Sequence, residues 1–245
     1  MISKNEIKQI KLLEQKKHRK QNGLFVAEGP KVVSDLLLAG IKPSVIYATA
    51  ECKLPVKTNR HEVTANELQR ISFLQHPQQV IGIFQIPEQN DTTVQPPVSG
   101  LHLALDDVQD PGNLGTIIRI ADWFGIDTIY CSLNTADVWN PKVIQATMGS
   151  VAHVKVYYVD LPLFLKNCSL PIYGTLLDGN NIYEQKLEAN GIIIMGNEGN
   201  GISKEVRPLI TNKLLIPNYR KGNTAESLNV AIATAITCAE FRRHK

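Results

Sequence analysis

Apolar and polar positions recur along this chain with two different periods, and the switches between them mark out the elements. A basic, amphipathic stretch predicts a helix over residues 3–17. A short apolar run predicts a strand at 24–27, followed by a helix over 30–39 that carries Pro30 in its first turn, where a missing N–H costs nothing. Strands are expected at 45–48 and 80–85, with a helix at 64–72 between them. From 87 to 100 the periodicity stops, the composition turns polar and Pro96 adjoins Pro97, as in an interdomain linker. We therefore expect one domain over 1–90, a linker at 91–100 and a second domain over 101–245.

The second section alternates more regularly. Strands are predicted at 101–105, 128–132, 154–159, 172–177, 192–195 and 214–216, with helical patterns between most of them and a closing helix at 227–241 before the basic tail of Arg242, Arg243 and Lys245. Such alternation implies an α/β fold, a mainly parallel sheet with helices on both faces, and ligands at the carboxyl ends of its strands.

Composition narrows the function classes. With 43% hydrophobic and 20% charged residues among 245, the chain reads as an ordinary soluble globular protein. The net charge of +3 is modest but uneven, since Met1 to Lys31 holds eight basic side chains (Lys4, Lys8, Lys11, Lys16, Lys17, Arg19, Lys20, Lys31) against three acidic ones. That segment suits a phosphate backbone, or equally a solvated charged helix. Cys52, Cys131, Cys168 and Cys238 are too widely spaced for a zinc site or a disulfide framework, so no metal is expected and buried free thiols are. No apolar run reaches membrane-spanning length and no signal segment is recognisable, so the expected location is the cytoplasm, with no membrane partner.

Three loops can carry chemistry. Asp110, Pro111, Gly112, Asn113, Leu114 and Gly115 read as a glycine-rich turn before a helix whose apolar stripe is Ile117, Ile120, Ala121 and Phe124. Arg119 lies roughly opposite Ile117, pointing outward, where a guanidinium can grip a phosphate or simply be solvated. The second loop is Gly196, Asn197, Glu198, Gly199, Asn200 and Gly201, with Ser203 as a helix N-cap. Its glycines run G-x-x-G-x-G, not the dinucleotide order G-x-G-x-x-G, and no P-loop lysine is present. Glu198 can hold Arg119 or accept from a ligand, or be solvated in a tight turn. The third loop leaves a strand at Ile216, Pro217 and Asn218, passes Gly222 and Asn223, and enters the last helix at Ser227, Leu228, Asn229 and Val230. Capping accounts for Ser227 about as well as function does; Asn229, inside the helix, has no such simple reading.

Taken together and in this order, these three loops resemble the motifs of the SpoU class of SPOUT RNA ribose 2′-O-methyltransferases. The likeness spans nearly the whole chain: Phe25, Glu28, Gly29 and Pro30 look like the start of the family's amino-terminal RNA-binding domain, which is similar to ribosomal protein L30e, and 145–150, with Met148 and Gly149, looks like its connecting segment. The resemblance implies a carboxy-terminal domain threaded into a trefoil knot, an S-adenosylmethionine pocket, and a homodimer through the knotted domain. It places Leu176, Gly196, Asn197, Gly201, Ile216 and Leu228 at the cofactor. It gives the reaction to Arg119, with Asn113, Glu198, Ser227 and Asn229 orienting the guanidinium, the ribose and the loops. An arginine is not deprotonated in proteins, so Arg119 is expected to hold the adjacent phosphate while that phosphate or a water takes the hydroxyl proton.

The expected activity is thus methyl transfer to a ribose 2′-hydroxyl of structured RNA, ribosomal or transfer. A non-catalytic RNA-binding protein of the same fold is the alternative. A nicotinamide-dependent oxidoreductase is third, disfavoured by the glycine order.

Overall fold

The structure is a computed structural model that describes residues 1–87, 94–220 and 227–243. Residues 91–93 of the expected linker, the polar 221–226 segment with Gly222 and Asn223, and Lys245 lie outside the described residues. The chain divides into two compact units, Met1–Asn90 with Asp137–His153, and Asp91–Ala136 with Val154–Lys245. Asp137–His153 lies between two strands of the second unit in sequence but packs with the first.

The first unit opens with α1 (Lys4–Leu12) and α2 (Lys16–Asn22) where the pattern predicts one helix. Ser3 and Glu6 form a capping box at the start of α1. The break has an electrostatic cause: the buried Arg19 side chain, 2% exposed, donates through Nη1 to the carbonyls of Leu13 (2.8 Å) and Glu14 (2.6 Å), which a continuous helix would have used internally. Then come β1 (Leu24–Glu28), α3 (Pro30–Leu38), β2 (Pro43–Ala48), the short β3 (His61–Glu62), α4 (Ala65–Ile71) and β4 (Val80–Gln85). The sheet order is β1-β4-β2-β3, with β4 antiparallel to both neighbours. Two-residue β3 carries no apolar alternation and left no pattern to read.

The second unit supplies β5 (Leu101–Asp106), α5 (Pro111–Trp123) and β6 (Thr128–Ser132). After α6 (Pro141–Thr147) of the first unit it continues with β7 (Lys155–Val159), α7 (Leu161–Lys166), β8 (Ile172–Asn181), β9 (Gly191–Gly196), β10 (Asn212–Leu215) and α8 (Val230–Arg242). All six strands pair in parallel, in the order β10-β8-β9-β5-β6-β7. Both faces are apolar. Ala104, Ile192 and Ile194 cluster with Leu161, Phe164 and Leu165 of α7 on one side. On the other, α5 packs on α8, α8 meets β9, and Phe241 sets its ring edge-on to Tyr173 at 4.9 Å. Each fully buried Leu or Ile of these faces contributes about 1.5–3 kcal/mol.

Two expectations about the last elements change. Arg242 is no loose tail, because it donates to the carbonyls of Phe124 (2.8 Å) and Gly125 (2.9 Å) at the end of α5, while Arg243 pairs with Glu240 at 2.5 Å. Strand β8 runs four residues past its predicted end. Opposite consecutive residues of β10 the register jumps from Gly174 to Asn180, so residues 175–179 bulge outward. The chain returns at Gly179, where a Cβ would stand 2.5 Å from a backbone carbon of Leu214, so only glycine fits.

Candidate functional site

The site is built where β5, β9 and β10 end. Asp110 is the N-cap of α5: its carboxylate accepts from Asn113 N–H at 2.7 Å, and Pro111 takes the first helical position. The residues expected to form a turn, Pro111 to Gly115, are therefore the first helical turn itself. The buried face of α5 is Leu114, Gly115, Ile117, Ile118 and Ala121, rotated from the predicted stripe; Ile120 and Phe124 are only half-buried. Arg119 is exposed as expected, and its guanidinium has no hydrogen-bond or ion-pair partner among the described residues.

The loop after β9 is pinned into one shape. Asn197 and Gly201 exchange backbone hydrogen bonds at 2.9 Å each way, with Gly201 at φ +67°. A Cβ on Gly196 would lie 2.3 Å from the Gly201 carbonyl carbon, so the close approach requires glycine. Asn197 Oδ1 accepts from the N–H groups of Gly199 and Asn200, while its Nδ2 donates to the Asp107 carbonyl at 2.7 Å. Buried Asp106 accepts the Ser203 N–H at 2.7 Å. Ser203 does not start an α-helix as predicted. Its hydroxyl accepts from Val206 N–H at 3.4 Å over a single turn that leads to a short 3-10 segment, Arg207–Leu209.

The three loops meet in one hydrogen-bonded chain. Glu198 accepts from the backbone N–H of Gln109 (3.3 Å) and Asp110 (3.2 Å) and from Asn113 Nδ2 (3.0 Å). Asn113 Oδ1 in turn accepts from Asn229 Nδ2 at 2.9 Å. Asn229 is not inside the last helix: it is the N-cap of α8, its own Oδ1 taking the N–H groups of Ala231 (2.9 Å) and Ile232 (3.3 Å). It therefore takes the capping role that was open to Ser227 as the alternative to a functional one. Ser227 is exposed and bonds to no other described residue.

Glu198 does not hold Arg119: its two oxygens accept from three other donors, and no ion pair joins the two side chains among the described residues. Burial is the largest single influence on that carboxyl and pushes it up. Hydrogen bonds from Asn113, its own backbone, Asp110 and Gln109 together outweigh burial and leave the group below its ordinary value.

The expected cofactor residues lie around neighbouring strand ends. Gly196 closes β9 level with Asp106 of β5. Leu176 sits in the β8 bulge, half-buried, and Ile216, half-buried, follows the last residue of β10, the strand next to β8. Leu228 is 50% exposed just ahead of α8. Sequence reasoning missed Asp106 and Asp107, whose signal was a pair of acids directly after an apolar strand. Among the described residues no three His, Cys, Asp or Glu side chains are grouped to hold a metal ion, and no helix is long and apolar enough to cross a membrane. All four cysteines are free.

Comparison with known proteins adds a second line of findings. Residues 100–239 match the SpoU rRNA Methylase family, and residues 4–82 match the MRM3-like substrate binding domain. The chain is 31% identical, over 98% of its length and 97% of the relative's, to the 23S rRNA (guanosine(2553)-2′-O)-methyltransferase RlmP of Bacillus subtilis. Among solved structures it is similar to the AdoMet-bound rRNA methyltransferase from Sinorhizobium meliloti, with TM-score 0.86 and 31% identity over all of this chain and 97% of that one. A structure assigned to the TrmH family, from Porphyromonas gingivalis, gives TM-score 0.86 and 39% identity with full coverage of both chains.

Proposed function

Because the chain belongs to the SpoU rRNA Methylase family, we propose that it transfers a methyl group from S-adenosylmethionine to a ribose 2′-hydroxyl of structured RNA, ribosomal or transfer. The observation that supports this reading is the Glu198–Asn113–Asn229 chain, which joins three loops distant in sequence at the start of α5, the helix that bears the exposed Arg119.

The residues present fit the cofactor. Gly196 lets the loop fold back on itself, Gly201 leaves open space where a side chain would stand, and Leu176, Ile216 and Leu228 leave apolar surface partly exposed at the strand ends, as an adenosyl group needs. These residues and Asn197 would hold it. When bound, S-adenosylmethionine supplies an electrophilic sulfonium methyl. The protein's own groups do the rest. Arg119 grips the phosphate beside the target ribose through its planar donor fork and stabilises the charge that builds as the hydroxyl attacks. A guanidinium does not take the proton; the held phosphate or a water does. Asn113, Glu198 and Asn229 fix the starts of α5 and α8 against the 196–201 loop, and Ser227 faces the substrate.

The remaining features follow from the same reading. Residues 1–90 serve as the RNA-binding domain, 91–100 as linker and 101–245 as the knotted transferase domain, of which Asp137–His153 packs with the first unit. The protein works as a homodimer through that knotted domain, in the cytoplasm. A matching substrate-binding domain at 4–82 and the basic first helices support RNA as the partner.

Calorimetry with S-adenosylhomocysteine, together with maps of ribose methylation in total RNA from cells with and without the gene, tests the proposal. Micromolar or tighter binding and one lost methylation are expected, on the order of ordinary cofactor affinities. No binding and an unchanged map would end it.

A further inference from the structure

Asp107, the residue after β5, holds a left-handed backbone at φ +59°, one of two non-glycine residues to do so among those described. Asp and Asn tolerate that region better than other L residues do, and here every polar group of the residue is engaged. Its N–H donates to Ser132 Oγ (2.9 Å), and its Oδ1 accepts the same hydroxyl's proton (2.5 Å). Its Oδ2 accepts from Asn134 Nδ2 (3.4 Å), and its carbonyl accepts from Asn197 Nδ2 (2.7 Å). On one side of it Asp106 holds Ser203 N–H; on the other, Gln109 and Asp110 turn their N–H groups onto Glu198. A positive-φ residue tied to β6, to the 196–201 loop and to its own neighbours decides in which direction the chain leaves β5. Strain of this kind persists where surrounding structure over-determines it, and it gathers at functional sites.

We propose that Asp107 is a positioning residue for the methyl transfer. It acts through Asn197 on the loop after β9, and through the N–H groups of Gln109 and Asp110 on Glu198, so that Asn113 and the α5 helix bearing Arg119 are held in register. The role presupposes the transferase reading above.

Full-length variants tested with tritiated S-adenosylmethionine, and with ribosomal and transfer RNA purified from cells lacking the gene, decide the matter. Asp107→Gly keeps the backbone free to stay left-handed and deletes the carboxylate. It should lower kcat by about tenfold or more while RNA affinity stays within about twofold and Tm within about 2 °C. Asp107→Asn keeps an acceptor and tolerates the same φ, so it should return to within about threefold of the parent. Ser132→Ala removes the other half of the contact and should reproduce the loss, with the double variant no slower than the worse single one. Asp107→Gly turning over at the parental rate would overturn the role, as would a lowered Tm with kcat intact, or losses that multiply in the double variant. A parent chain that neither binds S-adenosylhomocysteine nor methylates RNA would end the transferase reading, and this role with it.

Discussion

The chain uses the same two side chains twice, once in each unit, to opposite ends. In the first unit Arg19 is buried, donating to two backbone carbonyls and to Asp137, and Glu28 is buried, accepting from the Ser72 hydroxyl and from Phe73 N–H at 2.7 Å. In the second unit Arg119 is exposed with no described partner, and Glu198 sits at a loop junction among three donors. The difference separates a guanidinium that holds a fold from one that is kept available, and a carboxylate inside a core from one that ties loops together at a site. A satisfied, buried guanidinium has nothing left to offer a ligand. An exposed one on a helix fixed at both ends has its whole fork free.

The two arginines give the largest expected effects, and they should exchange signatures. Arg119→Ala should lower kcat roughly 1,000-fold, about 4 kcal/mol of transition-state stabilisation, with Tm unchanged. Arg19→Ala should cost about 3–5 kcal/mol of stability, because Asp137 and two carbonyls lose their donor, yet leave kcat per folded molecule near the parental value. Thermal denaturation and single-turnover methylation on the two variants read this directly. If Arg119→Ala lost stability and kept activity, the comparison would be inverted and the site would lie elsewhere.

Much of this contrast was legible before any coordinates. Short apolar runs bounded by turn residues located nine of the ten strands, and helical spacing pointed Arg119 outward, because both patterns record burial directly. What escaped were features set by tertiary hydrogen bonds. The break between α1 and α2 is made by Arg19, whose acceptors sit five and six residues back. Asn229 looked unexplained until its capping bonds moved the helix start to Val230. Asp106 and Asp107 follow an apolar strand like any loop acids, and nothing local tells that one is buried and the other left-handed. The bulge in β8 depends on pairing with a strand more than thirty residues on.

Among the glutamates, the informative replacement is glutamine, since it keeps size and removes charge. Both oxygens of Glu198 face N–H donors that cannot reverse. A glutamine amide in its place would set an NH2 against one of them. Glu198→Gln should therefore behave almost like Glu198→Ala, each lowering kcat about 100-fold with a Tm change of only a few degrees. Transfer kinetics beside a melting curve checks it, and a fully active Glu198→Gln would show that the junction does not need two acceptors.

Glu28 should tolerate the same change, and the smallest effect of the series follows from it. One of its partners is the Ser72 hydroxyl, which can donate or accept, so the amide introduced by Glu28→Gln finds a satisfied arrangement like that of the protonated acid. Desolvation is the largest influence on this carboxyl and holds it above its ordinary value of 4.5, the Ser72 hydroxyl, Phe73 N–H and Lys11 charge offsetting only part. A carboxyl raised in the fold favours the folded state most below its unfolded value, and that contribution fades as pH climbs through the folded one. Glu198, lowered in the fold, runs the other way and loses its contribution as pH falls below 4.5. Stability of Glu28→Gln relative to the parent should thus rise as pH increases from about 4.5 toward neutrality, while that of Glu198→Gln should fall relative to the parent as pH climbs toward about 4.5 from below and level off above it. Urea midpoints at a series of pH values resolve the two slopes. Slopes of the same sign would mean that the two carboxylates answer to one environment, and that the division between a core carboxylate and a loop-junction carboxylate is not electrostatic.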